Sequence, residues 1–194
     1  MKKTLLLTLA LSISFSSLWA RDYKNEFSVS YGQFTVPQFG YLVGGVLGVA
    51  FTAGHFTFEN TKMFGAAGFE YEHYTNDWFA FGCTVLCDYM TADSYNKASD
   101  GTKTYNGKFN LGFMSLMPNV KFSWFNREKV SLYSKLAFGA GLVFDNGDSA
   151  ENNFSPAFQV TPIGVDFGKG SFRGFAELGV GMQGVLCAGV RKSF

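Results

Sequence analysis

Between Val130 and Phe144 the chain alternates for fifteen residues. Val130, Leu132, Leu136, Phe138, Ala140, Leu142 and Phe144 share one face, and Ser131, Tyr133, Lys135, Ala137, Gly139 and Gly141 share the other. A period of two is the signature of a β-strand whose faces meet different surroundings. Strands of soluble proteins usually run about 3–10 residues, so this one is too long for an ordinary sandwich. It fits a tilted membrane-spanning strand that continues past the bilayer rim.

The same test finds Trp78 to Tyr89, with Phe79, Phe81, Cys83, Val85, Cys87 and Tyr89 opposite Ala80, Gly82, Thr84 and Asp88. It also finds Leu116, Pro118, Val120, Phe122 and Trp124 opposite Met117, Asn119, Lys121 and Ser123. Upstream, Phe109, Leu111 and Phe113 have the other parity, which predicts a β-bulge near Met114 to Pro118, where a proline is tolerated. Phe158 and Val160 likewise change parity to Ile163, Val165 and Phe167 around Pro162. Eight strands are predicted, at 26–34, 63–74, 78–89, 108–124, 130–144, 155–168, 171–180 and 184–194. An even number suits a closed antiparallel barrel, and the predicted fold class is an all-β, eight-stranded antiparallel transmembrane β-barrel.

Composition agrees. The chain has 194 residues with 23 Gly, 23 Phe, 9 Tyr and 3 Trp, a mixture suited to short twisted strands rather than helices. Beyond the first twenty residues no apolar run reaches the length of a spanning helix. The net charge is +1, and loss of a leader carrying Lys2 and Lys3 makes it −1, so no basic surface for nucleic acid is expected.

Residues 1–20 read as a secretory signal peptide: Lys2-Lys3, an apolar stretch from Leu5 to about Phe15, then Ser16-Ser17-Leu18-Trp19-Ala20. The mature domain is then 21–194, with cleavage after Ala20. Cys83 and Cys87, four apart on one strand, lie about 13 Å apart and out of disulfide reach. Neither His55 nor His73 stands at ligand spacing from a cysteine, so no metal and no cofactor is expected.

Connections alternate in length, with long ones at 35–62, 90–107 and 145–154, short ones at 75–77, 125–129 and 169–170, and a small last loop near Gly181-Met182-Gln183. That sorting matches extracellular loops on one rim and periplasmic turns on the other. The first long connection carries an apolar segment, Tyr41 to Phe51. It reads as an extra strand or a loop segment packed over the barrel mouth, with a hydrophobic lid or membrane-surface element as the alternative.

Ser115-Leu116-Met117-Pro118-Asn119-Val120-Lys121-Phe122, Val130-Ser131-Leu132-Tyr133-Ser134, Phe158-Gln159-Val160-Thr161 and Phe175-Ala176-Glu177-Leu178-Gly179 occur here in that order. In these segments the chain resembles the small outer membrane β-barrel family abundant in Bacteroides-like bacteria, similar in architecture to OmpX and OmpW. The resemblance implies the bacterial outer membrane as location, with its lipids and the barrel-insertion machinery as partners. It supplies no catalytic residues. It also implies an insertion signal in the last strand, matched by Leu186, Ala188, Val190 and the terminal Phe194. Lys192 departs from that pattern and would snorkel to the headgroups at the rim.

Strand parity turns eight charges inward: Glu70, Glu72, Lys121, Lys135, Asp166, Arg173, Glu177 and Arg191. An eight-stranded barrel is just wide enough to be filled by its own side chains, so these are expected to pair as an internal network, with Lys135 against Glu177 or Asp166. A selective pore would favour one sign of charge. The expected function is non-enzymatic, supporting envelope integrity or meeting surface partners through 35–62 and 90–107. A narrow channel for small apolar solutes comes second. An outer membrane lipid-modifying enzyme comes third, because neither histidine has a serine and an acid at a telling spacing.

Overall fold

Hydrogen-bonded pairing runs unbroken around a ring of eight antiparallel strands in the computed structural model, which describes residues 24–51, 56–98, 102–145 and 153–194. The strands are β1 (Asn25–Gln33), β2 (Phe56–Asn76), β3 (Phe79–Lys97), β4 (Lys103–Asn126), β5 (Val130–Asp145), β6 (Asn153–Lys169), β7 (Phe172–Gly181) and β8 (Leu186–Ser193). A helix, α1 (Val36–Phe51), lies between β1 and β2. The all-β fold of eight antiparallel strands is as the alternation predicts. The expected leader and its cut after Ala20 lie outside the described residues, as does His55. Closure is made by β1 on β8, with Val29 opposite Val190. At the lower rim Asn25 and Phe194 exchange backbone bonds of 3.1 and 2.8 Å.

Side chains sort by parity into a polar lumen and an apolar exterior. On β5, Ser131, Tyr133, Lys135 and Ala137 are buried while Leu136 and Phe138 are exposed. The parity change at Pro162 is present. Ala157, Gln159 and Thr161 face inward, then Gly164 and Asp166, and the pairing with β7 slips between Val160 and Ile163. Ser134 Oγ donates to the Pro162 carbonyl at 2.6 Å across the irregularity.

The bulge expected near Met114 to Pro118 is absent. The β3–β4 register is continuous from Phe79 opposite Phe122 to Ser94 opposite Gly107, and Ser115, Met117 and Asn119 continue the inward parity of Phe109, Leu111 and Phe113. Those three apolar residues face inward because the upper lumen is itself apolar. Leu86, Met117, Ala137, Ala157 and Met182 form a cluster there, with Phe113 and Val36 packed against it.

The expected long connection 90–107 is largely strand, and the end of 35–62 belongs to β2. β2 begins at Phe56, β3 runs to Lys97 and β4 starts at Lys103, so most of 90–107 is a paired hairpin. Above the barrel both faces of this sheet lack the contrast that produces alternation, and its sequence therefore reads as loop. The outcome is a tall wall of β2 to β6, with strands of 16–24 residues, and a low wall of β7, β8 and β1, with strands of 10, 8 and 9.

The segment 41–51 is neither an extra strand nor an irregular loop; it belongs to α1. Its start is a capping box, in which the Gln38 amide N–H donates to Thr35 Oγ1 at 3.3 Å and Gln38 Oε1 accepts from the Phe34 and Thr35 amides at 3.0 and 3.2 Å. Phe34 and Phe39, with ring centroids 6.5 Å apart, form the accompanying hydrophobic staple. Pro37 sits in the first turn, where its missing N–H costs nothing.

Glycines let rings lie flat on the inner wall. Gly164 stands opposite Tyr133, and a Cβ on it would come within 2.3 Å of the phenol ring. Gly164→Val is therefore expected to push Tyr133 into the lumen and destabilise the barrel by about 1–3 kcal/mol, read as a lower thermal unfolding midpoint in detergent.

Candidate functional site

All eight of the charges assigned to the lumen are buried there, and a ninth joins them. Glu26, near the start of β1, accepts Lys121 Nζ at 3.1 Å, Arg173 Nη2 at 3.2 Å, Arg191 Nη1 at 3.0 Å and the Ser193 hydroxyl at 2.9 Å. Its signal was present in the sequence, where Glu26, Ser28, Ser30 and Gly32 alternate with Phe27, Val29 and Tyr31. The parity that turns Arg173 inward near the start of β7 turns Glu26 inward by the same count.

Lys121 also donates to Glu72 Oε2 at 2.8 Å. Lys135 donates to Glu70 Oε2 at 2.8 Å and to Glu177 Oε1 at 2.9 Å, so of its two expected partners Glu177 is met and Asp166 is not. Asp166 instead faces Arg191 Nε at 3.2 Å. The bulge at Pro162 sets the position of Asp166 along β6, and a register slip of that kind cannot be measured from residue spacing.

Tyr133 joins the two halves of the network. Its hydroxyl donates to Glu177 Oε1 at 2.7 Å and accepts from Arg191 Nη2 at 2.9 Å, while Lys121 Nζ stands 4.2 Å from its ring centroid. The Arg191 guanidinium also lies 4.0 Å from the Phe175 centroid, giving a buried cation an aromatic face as well as carboxylates. Thr84 Oγ1 donates to Glu70 at 2.8 Å and accepts from Asn119 at 2.8 Å.

Above the charges the lumen closes. The turn after β7 folds inward, burying Met182 and Gln183. Gln159 holds it, accepting the Gln183 amide at 2.9 Å and donating to the Gly184 carbonyl at 3.2 Å. The apolar cluster lies here, and the foot of α1 sits over it, with Thr35 Oγ1 donating to Asp88 Oδ2 at 2.5 Å. The proposed insertion-signal residues Leu186, Ala188, Val190 and Phe194 all lie on the exterior of the barrel. His73, at the lower end, has Nδ1 2.9 Å from Asn25 Oδ1, an amide rather than the serine and acid of a hydrolase. Among the described residues no group of His, Cys, Asp and Glu is placed to hold a metal.

Neither a family model nor a curated protein matches the chain. Among solved structures it is similar to the outer membrane protein Ail of Yersinia pestis in a phospholipid bilayer nanodisc, at 19% identity and a TM-score of 0.35, covering 89% of this chain and 100% of that one. The network is thus to be tested in this chain. Lys135→Ala takes the nearest cation from two buried carboxylates, Glu70 and Glu177, and is expected to cost about 3–5 kcal/mol. Lys169→Ala, which breaks a surface pair with Glu128 at 72% and 51% exposure, should stay within about 0.5 kcal/mol. Thermal unfolding of both detergent-folded variants compares them.

Proposed function

We propose that this chain is an integral outer membrane β-barrel of a bacterium, exported by residues 1–20, and that its work is done at its surface rather than through its lumen. The observation that carries the reading is an inverted polarity. Ion pairs and hydrogen bonds fill the inside, while Val29, Phe69, Leu116, Leu136, Phe138, Val160 and Val190 stand exposed outside. Water would not tolerate such a belt on a monomer, whereas lipid requires it. Aromatic residues mark both edges: Trp78, Trp124, Phe172 and Phe194 below, Tyr31, Phe64, Tyr89 and Phe144 above. Girdles of this kind sit at the two interfaces of a bilayer.

The finer family reading, a relative of the OmpX- and OmpW-like barrels of Bacteroides-like bacteria, rests on the segments quoted above. A non-enzymatic role in envelope integrity or surface contact is supported by a lumen occupied from wall to wall. The surface available to a partner is helix α1 with the upper β2–β3–β4 sheet. There Asn60 donates to Asp93 at 3.0 Å and Lys103 pairs with Glu59.

Two measurements test this reading. The protein should fractionate with outer membranes and show heat-modifiable gel mobility; recovery as a soluble periplasmic species would overturn it. In planar bilayers the purified barrel should show no discrete openings. Conductance steps in the wild type would instead favour a narrow channel through the apolar upper lumen.

A further inference from the structure

Helix α1 contains no charged residue in sixteen positions. A helix apolar on all sides belongs in a protein core or against lipid. One side of α1 is held by the barrel. Its Tyr41 ring stacks on Phe109 at 6.0 Å, Val36 packs on the lumenal cluster, and Thr35 is bonded to Asp88. Beyond the first turn, which holds Val36, and away from Tyr41, the helix presents Phe39, Leu42 and Val43 at 46%, 49% and 57% exposure.

The height of the wall beneath says what covers these side chains. A spanning strand needs about 9–11 residues, and β1, β7 and β8 have 9, 10 and 8, so the low wall ends near the outer boundary of the hydrocarbon. Helix α1 begins three residues beyond Gln33, the last residue of β1. Phe34, at its foot, lines one exterior apolar groove with Tyr31, Ile163, Leu178 and Leu186. The groove, whose lining also includes Gln33 and Glu177, is predominantly apolar and carries the apolar surface of the wall up to the foot of the helix. No helix among the described residues is long and apolar enough to cross a membrane, which leaves the interface as the place where α1 can meet lipid.

We infer that α1 is an interfacial anchor. It is seated in the outer leaflet of the bilayer that the barrel spans, with Phe39, Leu42 and Val43 against the acyl chains. The inference rests on the reading that the barrel exterior faces lipid. Because the helix carries no charge, its seating draws on buried apolar area alone and needs no anionic lipid.

Quenching by brominated lipid tests it. Leu42→Trp and, in parallel, Val43→Trp are made in residues 21–194, which lack Trp19, with Trp78→Phe and Trp124→Phe, and folded into zwitterionic phosphatidylcholine vesicles. The bromines are placed either near the headgroups or deep in the chains, and heat-modifiable mobility verifies folding of each variant. Phe138→Trp, at a site 70% exposed midway along β5, reports on the barrel wall. The helix tryptophan is expected to lose more fluorescence to shallow than to deep bromines, at a depth of about 5–10 Å below the headgroup boundary, with no change in 0.5 M salt, a concentration at which the screening length is only about 3–10 Å. The Phe138→Trp reporter should show the reverse depth order. Quenching at Phe138→Trp with none at either helix position would overturn the anchor and leave the spanning barrel standing. Absence of quenching at all three would overturn both.

Discussion

Eight strands enclose a space only as wide as the side chains that fill it. Each inward-facing residue must therefore find its partner across that lumen. Lys121, Lys135, Arg173 and Arg191 meet Glu26, Glu70, Glu72, Asp166 and Glu177 there, at distances of 2.8–3.8 Å. Buried ions are expensive to desolvate, and pairing alone barely compensates. What makes this network tolerable is the number of contacts each member makes. Arg191 has carboxylates, a phenol oxygen and an aromatic face, and Glu26 has three cations and two hydroxyls.

The lumen is layered as a consequence. Charges occupy the lower and middle levels, the Gln159–Gln183 bonds lie above, and the cluster around Met117 and Met182 forms the cap. Polar groups at the middle level hold the turn after β7 inside the barrel, and the buried turn in turn supplies Met182 to the cap under α1. Occlusion is thus a product of packing from below rather than of a separate plug. The foot of α1 rests on that cap, at the upper rim of the barrel.

The unequal walls give that rim its asymmetry. Continued pairing of β2, β3 and β4 raises a sheet on one side, while the short strands β7, β8 and β1 leave the other side low. Helix α1 rises from the low side and rests Tyr41 against Phe109 on the high one.

The sequence by itself determined the barrel and its two faces, because alternation in β3, β5 and the lower part of β4 records directly which side chains meet which surroundings. It also placed the irregularity at Pro162, where two apolar series of opposite parity meet. Reading its apolar run as strand or loop misses helix α1, although Thr35 and Gln38 at capping-box spacing, with Pro37 between them, carry the signal of a helix start. Tertiary structure alone decided the rest. Phe109, Leu111 and Phe113 point inward where the upper lumen is apolar, a condition to which Leu86 of the neighbouring strand, Ala157 of β6 and Met182 of the turn after β7 contribute, with Phe113 packed against them. Lys135 meets Glu70 rather than Asp166 because strand stagger and one bulge fix heights around the ring. Parity repeats every two residues and records the face a side chain occupies; its partner depends on register between strands, which closure of the ring decides.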